Sequence, residues 1–320
     1  MNILLNFSGV RNSFILHLYF AIGKLPHLII SVISINLGLL CFIIDRHGCR
    51  SKISSTMQLA LGCSRPFALL MTARQNCRAV RYLLDGLRFS ASSDAQILRQ
   101  LANDRGNSEE VMARLRQRKG VILAASFFAC FQHVLLIGLL RAKENNARLI
   151  VVRPAEDPHF EKFRIRAERI ANYPLEVIEL NGINSALKMR NALINGAIVV
   201  CMMDNIIEGA SLVPTLMFGR ASCLIAGYLI LAHRLQIPIY LCYGRHSCGK
   251  IALVLKGPIE GNTASSLVEG LQYLANSLNR LLEIEIKAGP HLWDGWNALR
   301  QKWIIGSQLD FDDGDHYAVE

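Results

Sequence analysis

The second half of the chain alternates short apolar runs with longer amphipathic segments. Six runs have the length and the β-branched content of buried strands: 121–125, 148–152, 175–180, 197–203, 238–243 and 250–256. Helical spacing of the apolar residues covers 131–145, 160–171, 184–194, 222–236 and 263–286. This alternation predicts an α/β fold whose central sheet is mixed, largely parallel and flanked by helices. The last two runs, "PIYLCY" and "KIALVLK", are close enough in sequence to form an antiparallel hairpin.

A longer apolar stretch lies near the amino terminus. Residues 25–44, "LPHLIISVISINLGLLCFII", contain no ionisable side chain other than His27 and the Cys41 thiol. A helix of this length is about 30 Å long, which matches the hydrocarbon core of a bilayer. Basic residues are denser after the stretch than before it, so we expect the rest of the chain on the cytoplasmic side. The stretch either spans the membrane or lies in it, and its serine and asparagine residues leave a buried core helix as the alternative.

These patterns divide the chain into four regions. Residues 1–50 are expected to form a membrane anchor with a basic flank, and residues 51–118 a helical region. Residues 119–305 are expected to form the α/β domain, and residues 306–320 an acidic tail. Ser93 or Asp94 is placed to cap a helix through "AQILRQLAN".

Composition and charge favour a protein that works at a membrane. The chain is 52% hydrophobic and 19% charged, which excludes a disordered protein, and its net charge is +10. A basic chain suggests nucleic acid, but the lysines and arginines are dispersed and no nucleic-acid-binding motif is present. We therefore expect no nucleic acid partner, and an anionic membrane surface accounts better for the charge.

The cysteines indicate a reducing compartment instead of a disulfide framework. There are nine, an odd number, without a Cys-x-x-Cys pair, and several lie inside apolar runs. Cys242, His246 and Cys248 resemble a metal cluster, but they lack a fourth ligand at a suitable spacing. The sequence therefore predicts buried free thiols and no metal or other cofactor.

Four blocks of sequence follow one another in a familiar order. They are "KGVILAASFFACFQHVLLIGLL", "ARLIVVRPAEDPHFEKFRIRAERI", the segment from "ALINGAIVVCMMDN" to "GKIALVLKGPIE", and "GPHLWDGWNALRQKW". Together they resemble the lipid A biosynthesis acyltransferase family, the lauroyl and myristoyl transferases of bacterial inner membranes. The resemblance implies a glycerolipid-acyltransferase-like fold. It also implies transfer of an acyl group from an acyl carrier protein thioester to a glycolipid hydroxyl, at the cytoplasmic face of the inner membrane.

The catalytic pair of that family is missing from the matching positions. In the family a histidine acts as general base, and a Glu or Asp five positions later orients it. Alignment of the strand at 121–125 places Phe127 at the base position and Gln132 at the acid position. Neither side chain can accept the hydroxyl proton at neutral pH. Two hypotheses follow: an active enzyme with a displaced base, for which His133 or His159 is a candidate, or a non-catalytic relative that binds lipid or carrier protein.

Other positions match the family better. By resemblance, Arg153 contacts a phosphate of the acceptor or of the carrier's pantetheine arm, and Asp204 bonds loop amides at the end of a strand. Phe218 and Gly219 correspond to a Phe-Gly segment near the acyl pocket. The tryptophans of the fourth block are either interfacial anchors or core aromatics.

The double substitution Phe127→His with Gln132→Glu recreates the family pair. We expect it to raise acyl transfer by up to about 10²–10⁴-fold, the usual contribution of a positioned base. The measurement is the rate of acyl transfer from acyl carrier protein to membrane lipid. Wild-type turnover that His133→Ala abolishes would show instead that the base has moved to position 133.

Overall fold

The centre of the protein is a mixed, mostly parallel β-sheet. The computed structural model describes residues 25, 27–45, 48–102, 105–106, 108–128, 131–154, 158–180, 182–204, 206–207, 209–247, 249–261 and 266–309. The strands are β1 (Arg105–Gly106), β2 (Val121–Ala125), β3 (Leu149–Arg153), β4 (Leu175–Glu179), β5 (Ile198–Met202), β6 (Leu212–Met217), β7 (Arg220–Ile225), β8 (Ile239–Ser247) and β9 (Lys250–Ile259). The sheet has the order β1-β9-β8-β2-β5-β3-β4, in which β1 contributes two residues, and β6 and β7 form a separate hairpin.

Helices precede the sheet and cover both of its faces. In chain order they are α1 (His27–Ile44), α2 (Cys49–Leu61), α3 (Arg65–Ala91), α4 (Asp94–Arg99), α5 (Ser108–Arg116), α6 (Phe131–Glu144), α7 (Pro158–Ala171), α8 (Ile183–Ile194), α9 (Ala226–Leu235), α10 (Leu267–Ala288) and α11 (Trp296–Gly306). A 3₁₀ turn, Pro290–Leu292, separates the last two. Ser93 caps α4 and forms a capping box with Gln96, as predicted.

The six predicted strands and the parallel centre of the sheet are confirmed. β2 pairs in parallel with β5 and with β8, and β3 pairs in parallel with β4 and with β5. β8 and β9 form the predicted antiparallel hairpin, although β8 continues into "GRHSCG" as far as Ser247 and β9 continues past residue 256 to Ile259. The alternating pattern was sufficient for these strands because each buried run is short and bounded by turn residues.

The prediction of a helix over 222–236 is wrong in its first turn. Residues 220–225 form β7, which pairs antiparallel with β6, and the helix begins only at Ala226. Phe218 and Gly219 both have positive φ values and make the tight turn of this hairpin. Periodicity alone does not separate a short apolar strand from the beginning of a buried helix.

Two apolar cores lie on opposite faces of the sheet. One contains inward-facing residues of α2, α3, α8, α9, α10 and α11, including the buried Trp293, Trp296 and Trp303. The other contains residues of α5, α6 and α7 together with Phe89 at the end of α3. The tryptophans of the fourth block are therefore core aromatics and not interfacial anchors. Helix α3 contributes to both cores, so it spans one edge of the molecule.

The apolar stretch at the amino terminus forms α1, which packs on α3 through one narrow stripe. Ile30 and Ser34 are buried in that stripe, and Gly38 lies directly against the backbone of α3. Among the described residues, no helix by itself has both the length and the apolar character to cross a membrane. Only α1 and α2 together reach that standard, as the pair Leu28–Ile44 and Cys49–Leu61, bent by 96°. A single spanning helix, one of the alternatives that the sequence leaves open for residues 25–44, is thus not found among the described residues.

The contact at Gly38 generates a stability prediction. A Cβ atom at this position would lie 2.2 Å from Cys77 Cα and 2.5 Å from Cys77 N, so α1 must move away from α3. We expect Gly38→Ala to lower the free energy of unfolding by about 1–3 kcal/mol through overpacking. Gly227→Ala is the control, because a Cβ there meets nothing within 4 Å. Equal melting temperatures for the two variants would contradict the close packing of α1 on α3.

Candidate functional site

The loop after β2 carries the family's base position and is fixed by a buried carboxylate. Ser126 Oγ donates to Asp204 Oδ2 at 2.6 Å, and the Phe127 backbone N–H donates to the same oxygen at 2.7 Å. Trp293 Nε1 donates to Ser126 Oγ at 3.1 Å and lies 3.3 Å from Asp204 Oδ2. The predicted bond between Asp204 and a loop amide is therefore observed. These bonds place the loop at the carboxyl edge of the parallel strands, where α/β proteins bind ligands.

A buried lysine accompanies this carboxylate. Lys302 Nζ donates to the Met203 carbonyl oxygen at 2.6 Å. Burial lowers the pKa of Lys302, and the nearby charge of Asp204 opposes that shift. Asp204 Oδ1 has no hydrogen-bond partner among the described residues. Lys302 and Asp204 thus lie in the same buried region, and Asp204 serves to hold the loop in place.

The family dyad positions lack a base in the folded protein as well. Phe127 is half-buried, and its ring centroid lies 6.1 Å from that of Phe131. Gln132 is also half-buried and lies beside Gly86 on α3. The side chains at these two positions are therefore a benzyl group and a carboxamide, neither of which ionises.

His133 is enclosed by the protein. It is fully buried, and its Nε2 lies 3.1 Å from Gln100 Oε1. Burial lowers the pKa of His133 to about 4; Asp85 opposes this shift, whereas His246 and Arg88 add to it. The imidazole is therefore neutral at physiological pH and out of reach of a substrate, which favours a structural role. The side chain of His159, the other candidate base, lies outside the described residues.

The remaining predicted positions lie apart from one another. Arg153 ends β3, and its guanidinium stacks over the Phe160 ring with 4.9 Å between the guanidinium carbon and the ring centroid. Phe218, in the β6–β7 turn with Gly219, stacks on Trp296 with 6.1 Å between centroids. The phosphate contact assigned to Arg153 and the acyl contact assigned to Phe218 and Gly219 stay predictions.

A cavity of about 200 Å³ lies at the carboxyl edge of the sheet, next to the loop that carries Phe127. Helix α3, the end of β8, the end of α10 and the 3₁₀ turn form its walls. Its lining combines basic, acidic and aromatic side chains: Arg78, Phe128, Tyr243, Arg245, His246 and Glu285. Arg78 Nε also donates to the Leu292 carbonyl oxygen at 3.1 Å, which ties α3 to the 3₁₀ turn.

The acidic side chain of this cavity is already engaged. Tyr243 OH donates to Glu285 Oε2 at 2.5 Å, and Lys256 Nζ lies 3.3 Å from Glu285 Oε1. Burial raises the pKa of the Tyr243 phenol, and its bond to Glu285 raises it further. Two arginines and a histidine therefore determine the charge that the cavity presents.

The histidine of the cavity pairs with an acid that sequence reasoning missed. His246 Nε2 lies 3.4 Å from Asp85 Oδ2, and Asp85 is buried within α3. From the sequence, His246 can be recognised only as a possible metal ligand. Asp85 cannot be recognised as its partner, because the two residues are far apart in the chain. The one available signal was a lone aspartate among the arginines of α3, at 65, 74, 78, 81 and 88.

The metal interpretation of this region finds no support in the fold. Within the part of the chain that the structure describes, no three His, Cys, Asp or Glu side chains lie together. Cys242 is buried in the core, His246 pairs with Asp85, and Cys248 lies outside the described residues. Cys41 and Cys49 are exposed, so the prediction that the thiols are buried is wrong for these two.

Asp294 connects the cavity wall to the loop after β2. Its backbone N–H donates to the Phe127 carbonyl oxygen at 2.9 Å. Burial raises the pKa of its carboxyl group to about 6; Arg78 opposes the shift, and Asp204 adds to it. The ionised form of Asp294 thus destabilises the native state.

This shift predicts how stability depends on pH. The pKa of Asp294 is higher in the folded chain than in the unfolded chain, so stability falls as pH rises from about 4 to about 6. Asp294→Asn should therefore raise the free energy of unfolding by up to about 3 kcal/mol above pH 6 and leave it unchanged below pH 4. Denaturant unfolding across this range tests the effect, with Glu179→Gln, an exposed carboxyl, as the control for removing one charge. A gain that does not depend on pH would contradict burial of the charged carboxylate as its cause.

Comparisons with known proteins do not assign this chain to a family. A scan against protein-family models finds no match to this chain, and a search of the curated proteins finds none either. The likeness of the four blocks to acyltransferases therefore stays a resemblance.

Proposed function

We propose that the chain works at a membrane as an acyltransferase of the lipid A biosynthesis type. It would move an acyl group from an acyl carrier protein thioester to a glycolipid hydroxyl, at the cytoplasmic face of a bacterial inner membrane. The order of the four sequence blocks supports this proposal, as does the α/β architecture in which they occur. The chemistry would not use Phe127 or Gln132.

One observation carries the proposal: α3 belongs both to the cavity and to the apolar amino-terminal surface. Arg78 of α3 lines the cavity, and Arg81, one turn further on, donates through Nη1 to Ser31 Oγ of α1 at 2.8 Å. Arg81 also binds Asp85 with its Nε 3.0 Å from each carboxylate oxygen. A lipid headgroup at the surface of α1 would therefore be one helix away from the candidate site.

The apolar surface itself is unusual for a soluble protein. Nine large apolar side chains of α1 are exposed, among them Leu28 at 74% and Ile43 at 72%. Leu59 of α2 and the side chains of Phe67 and Leu70 on α3 are exposed as well. Apolar surface of this extent marks a site of interaction with a membrane or another protein.

Basic and hydroxyl groups lie beside this surface. A groove of about 880 Å³ is lined by Arg50, Arg65 and three serines, together with Phe42 and Leu70. Arginines next to exposed apolar side chains are suited to a membrane with anionic headgroups. Because α1 packs along the arginine-bearing α3, it is better placed to lie in the interface than to cross the bilayer.

A second function is favoured by the absence of a base at the family positions. Phe127 and Gln132 occupy the two dyad positions, and His133 is buried. On this alternative, the protein would be a non-catalytic relative that binds lipid or acyl carrier protein. Such a protein keeps the membrane surface and the cavity but turns nothing over. Acyl transfer by the purified chain separates the two functions.

The decisive assay uses the full chain on vesicles. Vesicles that contain an anionic phospholipid and a glycolipid with a free hydroxyl are mixed with an acyl carrier protein thioester. Mass spectrometry of the lipid then detects an acylated product. Product formation supports the acyltransferase, whereas membrane and carrier binding without product supports the non-catalytic relative.

Flotation with vesicles tests the membrane surface. We expect the chain to float with anionic vesicles and to bind less tightly as salt rises. Leu28→Ser with Ile43→Ser should weaken binding at least about tenfold, because each removes an apolar side chain worth roughly 1.5–3 kcal/mol when buried. The matched control is Ile165→Ser with Ile194→Ser, two exposed isoleucines on α7 and α8. A wild-type chain that stays wholly soluble without detergent would contradict the proposal.

A further inference from the structure

We infer that the groove between α1, α2 and α3 binds the phosphate headgroup of an anionic phospholipid and anchors the chain to the membrane through it. The inference rests on the membrane location in the proposed function and not on acyl transfer. It assigns one lipid to a defined place on the protein, in addition to the diffuse attraction between basic side chains and an anionic surface.

The groove lies where three helices meet. α1 and α2 are bent by 96° with respect to each other, and α3 packs against both of them. One aromatic side chain of α1, Phe42, lines the groove together with residues of α2 and α3. The volume of about 880 Å³ lies within the range of about 300–1,000 Å³ that is typical of pockets for small molecules. The groove therefore has room for a phosphate, its glycerol and the first part of an acyl chain.

The lining divides into a polar wall and an apolar wall. The polar wall on α2 consists of an arginine, three serines and a glutamine: Arg50, Ser51, Ser54, Ser55 and Gln58. The apolar wall consists of Phe42 on α1 with Leu69, Leu70 and Ala73 on α3. A phospholipid has the same two parts, a charged phosphate and apolar chains. Inorganic phosphate would leave the apolar wall without a partner, so the lining favours a lipid as the occupant.

The charge of the groove is complementary to a phosphate. Within the described part of the chain, its lining includes Arg50 and Arg65 but no acidic residue. Arg65 is exposed and makes no ion pair or hydrogen bond with another described residue. Arg50 Nη1 donates to the Phe42 carbonyl oxygen at 3.3 Å, and the carboxylate of Asp45, which does not line the groove, accepts from the Arg50 backbone N–H. Guanidinium groups bind phosphate oxygens through paired N–H bonds, so Arg65 is suited to this ligand.

Two neutral donors accompany the arginines. The Gln58 carboxamide and the Ser51 hydroxyl line the groove and make no side-chain hydrogen bond with another described residue. The other two serines are engaged: Ser54 Oγ donates to the Ser51 carbonyl oxygen at 3.2 Å, and Ser55 Oγ donates to the Lys52 carbonyl oxygen at 3.0 Å. The two arginines, this carboxamide and this hydroxyl are therefore the groups that would hold the phosphate.

The helices that form the groove also carry exposed apolar side chains. Ile43 and Ile44 lie at the end of α1, Leu59 lies on α2, and Phe67 and Leu70 lie on α3. A helix in the membrane interface buries such side chains about 5–10 Å into the boundary between headgroups and acyl chains. At that depth the groove would lie at the level of the lipid phosphates.

The groove is separate from the cavity beside the loop after β2. Arg65 begins α3, and Arg78, which lines the cavity, lies about 20 Å further along the helix axis. A lipid held in the groove would therefore leave the cavity open to a substrate. Its role is to anchor and orient the chain.

The first test measures the phospholipid that the full chain retains in a neutral detergent. The chain is mixed with phosphatidylglycerol or with phosphatidylcholine and analysed by native mass spectrometry. We expect one phosphatidylglycerol per chain and much weaker binding of the zwitterionic lipid. Arg65→Gln should weaken phosphatidylglycerol binding at least about tenfold, because hydrogen bonds between charged groups are lost. Arg190→Gln, which changes an exposed arginine on α8, is the matched control and should bind as the wild type does.

A lysine at the same position separates a defined site from diffuse charge. Arg65→Lys keeps the positive charge but loses the planar fork that binds two phosphate oxygens. We expect this variant to bind phosphatidylglycerol more weakly than the wild type and more tightly than Arg65→Gln. All three should have the same melting temperature, since Arg65 holds no other described residue in place. Equal affinities of Arg65→Lys and the wild type would show that charge alone attracts the lipid and would overturn the inference.

Inorganic phosphate tests whether the occupant is a lipid. Short-chain phosphatidylglycerol should displace the bound lipid, whereas inorganic phosphate at the same concentration should displace little of it, because it makes no contact with the apolar wall. Equal competition by the two would overturn the choice of a lipid as the occupant.

Flotation with phosphatidylglycerol vesicles separates the inference from the proposed function. If the wild type and Arg65→Gln float equally and retain lipid equally in detergent, the inference is wrong and the membrane proposal stands. If the wild type does not float, the membrane proposal fails and the anchoring role fails with it, although lipid retained through Arg65 would still identify a phospholipid site. Weaker flotation of Arg65→Gln than of Arg190→Gln, together with loss of the retained lipid, supports both.

Discussion

One buried carboxylate oxygen, Asp204 Oδ2, accepts three hydrogen bonds. These bonds hold the candidate site together. Asp204 follows β5, and its three donors come from the loop after β2 and from Trp293 near the carboxyl terminus. Segments from distant parts of the chain are thereby fixed at the carboxyl edge of the sheet. Loss of the carboxylate would leave a serine hydroxyl, a backbone N–H and an indole N–H without an acceptor in a dry environment, which is costly. Lys302 lies in the same core, where the charge of Asp204 opposes the lowering of the Lys302 pKa by burial.

Helix α3 connects the amino-terminal helix α1 to the cavity, just as Asp204 connects distant segments at the edge of the sheet. Its arginines lie at three places along the helix. Arg65 lines the groove beside α2, Arg78 lines the cavity, and Arg81 pairs with Asp85. One face of the helix receives α1, and another closes the cavity. This shared helix is the physical reason to connect an apolar surface with a polar site in one function. In the proposed function, a membrane-bound substrate would meet both without leaving the interface.

The contrast between the dyad positions and the His246–Asp85 pair shows that a histidine and an acid can meet without a recognisable sequence spacing. A motif such as His-x4-Glu is recognisable because both residues lie on one loop and helix. By the resemblance described above, Phe127 and Gln132 occupy the positions of such a motif without its chemistry. A pair contributed by α3 and β8 has no spacing to recognise, since its distance of 3.4 Å exists only after the sheet and the helix have packed. The cavity that contains it lies next to the loop that carries Phe127.

The sequence by itself determined the six main strands, the largely parallel character of their sheet and the final hairpin, because local patterns of apolar residues reflect burial on a sheet. It also determined that Phe127 and Gln132 carry no ionisable group, since side-chain chemistry can be read without coordinates. Only the tertiary structure decided that His133 is enclosed, that 220–225 is a strand and that the tryptophans belong to the core. It alone brought His246 to Asp85 and left the apolar face of α1 exposed among the described residues. These features depend on which surfaces meet across long sequence separations, and packing between distant segments leaves no periodic signal in the chain.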